Sequence, residues 1–161
     1  MLGYYLHSTN AQQALDAIKK GLSSIRLSTD LNISEQDFSL SEQSLVLDED
    51  NQLSVAELKK IVKKTQRIYL CSDGNMVPLE DRSTGYYKLA PTAGAPLLEI
   101  SGVKMHISKG TDPFTSASEM AQQAVRKGDK VLDCCSGLGY AAISAHRLGA
   151  SEVLTIELSP Q

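Results

Sequence analysis

The residues with the clearest chemical potential lie late in the sequence, in Lys130-Val-Leu-Asp-Cys-Cys-Ser-Gly-Leu-Gly-Tyr140. A short apolar run carrying one acid, Asp133, leads into a turn with glycines at 137 and 139. A helical pattern runs from Tyr140 to Leu148 and is closed by Gly149. Glycine in such a turn lets the backbone approach a ligand closely and take dihedrals that a side chain forbids, and the unbonded amides at a helix start face whatever is held there. Strand, tight turn and helix N-terminus in this order are the parts of a nucleotide-type binding crevice. A second strand, Val153-Leu-Thr-Ile156, ends in Glu157, 20 residues after Gly137. An acid at the carboxyl end of a second strand is placed to grip both ribose hydroxyls and to repel a 2′-phosphate.

The run Val131-Leu-Asp-Cys-Cys-Ser-Gly-Leu-Gly139 resembles the first motif of class I S-adenosylmethionine (SAM)-dependent methyltransferases, with Asp133 at its acidic position, and Ile156-Glu-Leu-Ser-Pro160 resembles their second. Nicotinamide enzymes follow the strand directly with GxGxxG, whereas these methyltransferases place an acid at the strand end and then GxGxG, so Asp133 favours SAM. Cys135 stands where the first glycine of DxGxGxG would be, so the turn must tolerate a β-carbon there. Met105-His106, Lys109-Gly-Thr-Asp-Pro113 and Gly137-Leu-Gly-Tyr140 together are similar, more narrowly, to a group of predicted archaeal-type methyltransferases distantly related to spermidine synthase. That likeness covers roughly residues 101–161. The resemblance implies SAM as cofactor and contacts to it at Asp133, Cys134, Ser136, Gly137, Leu138, Gly139, Glu157 and Leu158. Asp133 and the amides from Ser136 to Gly139 would take the methionine end, Glu157 the ribose, and Leu158 would pack on adenine.

Other reactive side chains invite competing readings. Cys134 and Cys135 sit before a helix N-terminus, which lowers thiol pKa, yet small residues in such turns are commonly there for packing. His106 precedes the crevice and is a candidate for contact with cofactor or substrate, whereas His146 belongs to the helix after the turn and is expected to face solvent. The cysteines at 71, 134 and 135 have neither disulfide-framework nor zinc-site spacing, which fits a reducing compartment and no metal.

The crevice needs elements to position it. Asp112 before Pro113 is a good helix start, with Ala117, Met120, Ala121, Ala124 and Val125 on one face, and Lys127-Gly128 ends the helix before the first strand. Upstream, Ala11, Ala14, Leu15 and Ile18 recur at helical spacing, with Thr9 or Asn10 as cap and Gly21 after the end. Ser54 and Glu57 form a capping box ahead of a Val55, Leu58, Ile61, Val62 stripe backed by Lys59, Lys60, Lys63 and Lys64, a basic face most simply read as solvated. Between these helices the apolar residues alternate (Ile25, Leu27; Phe38, Leu40; Leu45, Leu47), Asp48 to Gln52 reads as a polar turn, and β-like pieces recur at 68–71, 76–79, 85–89, 97–100 and 103–107. The chain is thus expected to be α/β: an α+β accessory domain over residues 1–108, then residues 109–161 as the first half of a Rossmann-like SAM-binding fold, incomplete after its second strand. On that view the protein is truncated, the catalytic residues lie beyond Gln161, the piece alone is inactive, and open strand edges favour a homo-oligomer.

A content of 42% hydrophobic and 22% charged residues is that of a folded globular chain. A net charge of −3 gives no general pull towards nucleic acid or anionic membranes, and it slightly favours a small-molecule methyl acceptor. No run approaches the roughly 18 apolar residues needed to span a bilayer, so a cytoplasmic location is expected. Two other readings stand beside the methyltransferase: an aminopropyltransferase of the spermidine synthase fold, which wants extra acids for a polyamine, and a non-catalytic binding or assembly module.

Overall fold

The computed structural model describes residues 3–158. Its N-terminal part is built from β1 (Tyr4–His7), α1 (Ser8–Lys19), β2 (Ser24–Leu27), β3 (Gln36–Leu40), β4 (Ser44–Val46), β5 (Gln52–Ser54), α2 (Val55–Val62), β6 (Ile68–Ser72) and β7 (Asn75–Pro78). Strands β2 to β5 form an antiparallel meander, and β1 pairs with β6, which pairs with β7. Helices α1 and α2 pack on each other, and Leu6, Ala11, Ala14, Leu27, Phe38, Leu45, Leu53, Leu58 and Ile61 close a single apolar core between helices and sheets.

The helix starts are set by side-chain chemistry. Ser54 Oγ accepts the Glu57 amide at 3.3 Å while the Glu57 carboxylate accepts the Ser54 amide at 2.9 Å, the reciprocal box expected for α2. At α1 the cap is His7: its Nδ1 accepts the Thr9 amide at 3.3 Å, and Asn10 Oδ1 accepts the His7 amide at 2.7 Å. Asn10 is therefore the third helical residue of a capping box and not the cap. Its side-chain amide also donates to the carbonyls of Tyr5 and Ser28, so a buried polar group is satisfied and ties three segments together.

The next unit is a four-stranded antiparallel sheet of β8 (Glu80–Asp81), β9 (Tyr87–Ala90), β10 (Leu97–Ile100) and β11 (Val103–Lys104). Then come α3 (Pro113–Ala124), β12 (Lys130–Cys134), α4 (Tyr140–Arg147) and β13 (Glu152–Ile156). β12 and β13 are parallel, in register from Lys130↔Glu152 to Cys134↔Ile156, joined by α4 as crossover. They are the one parallel pair among the described residues. Alternation along the strands puts Val131, Asp133 and Val153 on the α4 side, and Leu132, Cys134, Leu154 and Ile156 on a face where all four are exposed. Asp112 caps α3, accepting the amides of Phe114 and Thr115, and Pro113 sits at the first turn, where its missing N–H costs nothing. Small residues then let α3 and α4 approach: Ser116, Ala117 and Ala121 are buried, as are Ser144 and Ala145, and Ser118 and Ser144 share a 2.8 Å hydroxyl bond. Among the described residues no helix is long and apolar enough to cross a membrane.

Candidate functional site

The turn after β12 is a sequence of left-handed residues: Cys135 at φ 60°, Gly137 at 51° and Gly139 at 75°. The β-carbon at Cys135 therefore sits in a conformation that glycine takes freely and that costs other residues about 1–2 kcal/mol to adopt. Gly139 is the cap residue of α4 and offers no side-chain bond, so the first-turn amides have no side-chain cap among the described residues. The turn is fixed by backbone contacts instead. The Ser136 amide donates to Ile156 O at 3.1 Å, and the Gly139 amide donates to Ser136 O at 2.7 Å.

Glu157, at the tip of β13, reaches across to this turn. Its Oε2 accepts the Gly137 amide at 2.8 Å and its Oε1 accepts the Leu158 amide at 2.9 Å, so two backbone donors set the orientation of the carboxylate. Asp133 and Glu157 border one cavity of about 730 Å³, together with Cys135, Ser136, Gly137 and Leu138. Cys134, Gly139 and Leu158 are not in its lining, and Leu158 is 99% exposed. Ser159 and Pro160 of the second motif lie outside the described residues.

Two observations bear on what this cavity can hold. Asp133 Oδ2 is closed off from solvent and has no hydrogen-bond partner among the described residues. A buried acceptor left so costs about 1–3 kcal/mol, more when charged, which a donor or cation from a ligand would recover. At Gly137, which borders the cavity with Asp133, an added β-carbon would meet nothing within 4 Å, so the space over the backbone there is open. Hydrogen-bonding atoms of a ligand can approach the turn there, as a nucleotide-type group requires.

The opposite wall comes from the upstream sheet. His106 borders the cavity, its Nδ1 accepting the Leu98 amide at 3.2 Å and its ring centre 5.4 Å from that of Tyr140. Burial lowers its pKa, so the ring is neutral at pH 7. The Tyr140 hydroxyl donates to Pro96 O at 2.8 Å, and burial, with Asp112 nearby, pushes its pKa up to about 12. Phe114 stands edge-on to Tyr140 at 5.8 Å and carries the Arg147 guanidinium over its face at 5.0 Å. This aromatic cluster ties the start of α4 to α3 and to the upstream sheet. His146 is exposed. Cys71 is a core residue, its thiol pushed up to about 12 chiefly by burial, whereas Cys134 and Cys135 are exposed. Two contributors have no place among the sequence candidates: Tyr140 as a tether, and the apolar wall of Tyr87, Leu89, Leu98 and Ile100. The signal for the wall is the alternation of those residues with Lys88 and Glu99.

Part of the chain is similar to a methyltransferase. Over 71 residues, 44% of this chain and 23% of the other, it is 35% identical to a ribosomal protein L11 methyltransferase of Geobacter sulfurreducens. An uncharacterized protein of Methanocaldococcus jannaschii is 38% identical over 160 residues, 97% of this chain. The chain spans 54% of that relative's length. No family model matches the chain.

Proposed function

We propose that the chain carries the cofactor-binding half of a Rossmann-like SAM-dependent methyltransferase. The observation that carries this reading is the shared cavity of Asp133 and Glu157, with Asp133 Oδ2 buried and without a partner beside an open glycine turn. The parallel β12–α4–β13 unit and the partial similarity to a methyltransferase support it further. In this reading Asp133 accepts from the ammonium of the methionine end, where its unsatisfied oxygen gains a charged donor. The Ser136 to Leu138 backbone lines the same end, and Glu157, already oriented by two amides, accepts from the ribose hydroxyls. When bound, SAM supplies a sulfonium methyl group as electrophile. The protein's contribution to such a transfer is positioning and exclusion of water, with the reacting atoms brought into line.

Calorimetric titration with SAM and with S-adenosylhomocysteine tests the proposal. Both are expected to bind, and Asp133→Asn to weaken each by roughly 10- to 100-fold, the worth of a charge-assisted hydrogen bond. Glu157→Gln should weaken both less, since a ribose hydroxyl is an uncharged donor. The absence of heat with either ligand, or affinities indifferent to both substitutions, would overturn the reading.

A further inference from the structure

The sheet of β8 to β11 has two chemically different faces. On one, the register aligns Lys104 with Glu99, Glu99 with Lys88, and Lys88 with Glu80, a ladder of alternating charge across four strands. Lys88 Nζ and Glu99 Oε1 are 3.0 Å apart with both side chains largely buried, and Glu80 holds Arg67 at 3.4 Å, Arg82 at 3.7 Å and the Tyr86 hydroxyl at 2.9 Å. On the other face the register aligns Leu89 with Leu98, and Tyr87 with Ile100. These four side chains border the cavity that also holds Asp133 and Glu157.

We infer that this apolar sheet face is the platform for the methyl acceptor, and that the acceptor is an uncharged, mainly apolar small molecule bearing an oxygen that accepts a hydrogen bond from His106. The inference rests on the cofactor reading above, because the platform faces the proposed cofactor half across one cavity. Charge decides against other classes. The cavity's lysine, Lys88, is already matched by Glu99, so it offers no cation for a phosphodiester. Glu80 is matched by two arginines and Asp81 accepts from the Ser83 amide and hydroxyl, so neither of these acids beside the platform is poised for a polyamine, while Asp133 and Glu157 are taken by the cofactor in the reading above. Because His106 Nδ1 is an acceptor for the Leu98 amide, the neutral ring carries its proton on Nε2 and presents a donor. A volume of about 730 Å³ suits small ligands, whose sites run from roughly 300 to 1,000 Å³.

The test uses 2-naphthol and naphthalene as neutral probes and spermidine as a cationic one, with S-adenosylhomocysteine titrated in parallel. The chain has no tryptophan, so naphthol emission can be read without that background. Both neutral probes are expected to bind and spermidine to leave them in place. His106→Ala should weaken 2-naphthol by ~3- to 10-fold, the worth of one hydrogen bond, and leave naphthalene unchanged. Leu98→Asp should abolish both neutral probes, with unchanged S-adenosylhomocysteine affinity and circular dichroism showing that the fold is kept. Displacement of naphthol by spermidine, equal weakening of both neutral probes by His106→Ala, or failure of 2-naphthol to bind where S-adenosylhomocysteine does, overturns the inference. Neutral-probe binding with the expected variant effects, but without S-adenosylhomocysteine binding, supports the platform and overturns the cofactor reading instead.

Discussion

The N-terminal unit and the β12–α4–β13 segment use the same kinds of residue to opposite ends. In the first, Leu6, Leu45, Leu58 and Ile61 are wholly buried, both helices have reciprocal caps, and the buried Asn10 finds every partner it needs. In the second, Leu132, Leu154 and Ile156 are more than half exposed, a cysteine is held in the left-handed region, and a carboxylate oxygen is buried without a partner. The N-terminal unit also has left-handed side chains, at Leu31, Asn32 and Asp73, but among the described residues the turn after β12 is where one borders the same cavity as a buried carboxylate oxygen without a partner. Clustered violations of this kind mark the places where a sequence gives up stability for a site.

The largest expected effect tests the packing side of this contrast. Leu58→Ala removes a fully buried side chain and should cost about 2–5 kcal/mol in urea denaturation, whereas Leu154→Ala, at 58% exposure, should stay within about 0.5 kcal/mol. A comparable loss at Leu154 would break the comparison, because it would mean that the outer face of the parallel pair is covered in solution. A midpoint that rises with protein concentration would then identify the cover as a second copy.

A smaller effect separates the two regions by pH. His7 is 8% exposed, and burial lowers its pKa below the ordinary value. Above about pH 6.5 the ring is neutral in both folded and unfolded chains, so its contribution is constant. As pH falls below that value the unfolded chain takes up a proton that the folded one resists, and stability drops until the folded pKa is reached. The slope approaches at most about 1.4 kcal/mol per pH unit for one such group. Urea midpoints at pH 7.5 and pH 5.5 should therefore differ less in His7→Asn, which keeps a capping side chain, than in the parent. His106 shifts in the same direction, so His106→Asn should remove a further part of the pH dependence. An undiminished pH dependence in the double substitution would show that these rings are not its source.

Legibility in the sequence tracks the range of the interactions involved. The start of α2 is legible because Ser54 and Glu57 signal within one turn, and that of α3 because Asp112-Pro113 does the same. Strand β1 carries no such signal: it is four residues without alternation, stabilised by pairing with Ile68 to Cys71 some sixty positions away. The first residue of β5, Gln52, reads as part of a turn because Asp48 to Asn51 does turn the chain, and only the pairing of Leu53 with Leu45 marks residues 52–54 as a strand. In the site, the spacing of Asp133, Ser136 to Leu138 and Glu157 is a local pattern, and the structure brings those residues to one cavity. The expected packing role of Leu158 has no counterpart among the described residues, where its side chain is 99% exposed and outside the cavity lining. The wall formed by the upstream sheet shows in the sequence as alternation with Lys88 and Glu99, but its place opposite β12 and β13 depends on long-range packing.

The smallest predicted effect is the sharpest test of whether the turn is strained for a purpose. Cys135 holds φ at 60° with its thiol exposed at the cavity edge, so glycine there should relieve about 1–2 kcal/mol of steric cost. Against this stands the extra freedom that glycine brings to the unfolded chain, about 0.5–1 kcal/mol. Cys135→Gly is therefore expected to stabilise the protein by up to about 1.5 kcal/mol, while Gly139→Ala, with φ at 75°, should destabilise it by a similar amount. Opposite signs at two positions in one short turn would mark it as a backbone device in which side chains are tolerated and not used. A loss of stability in Cys135→Gly would reverse that view, because the thiol would then be making a contact worth more than the strain it imposes.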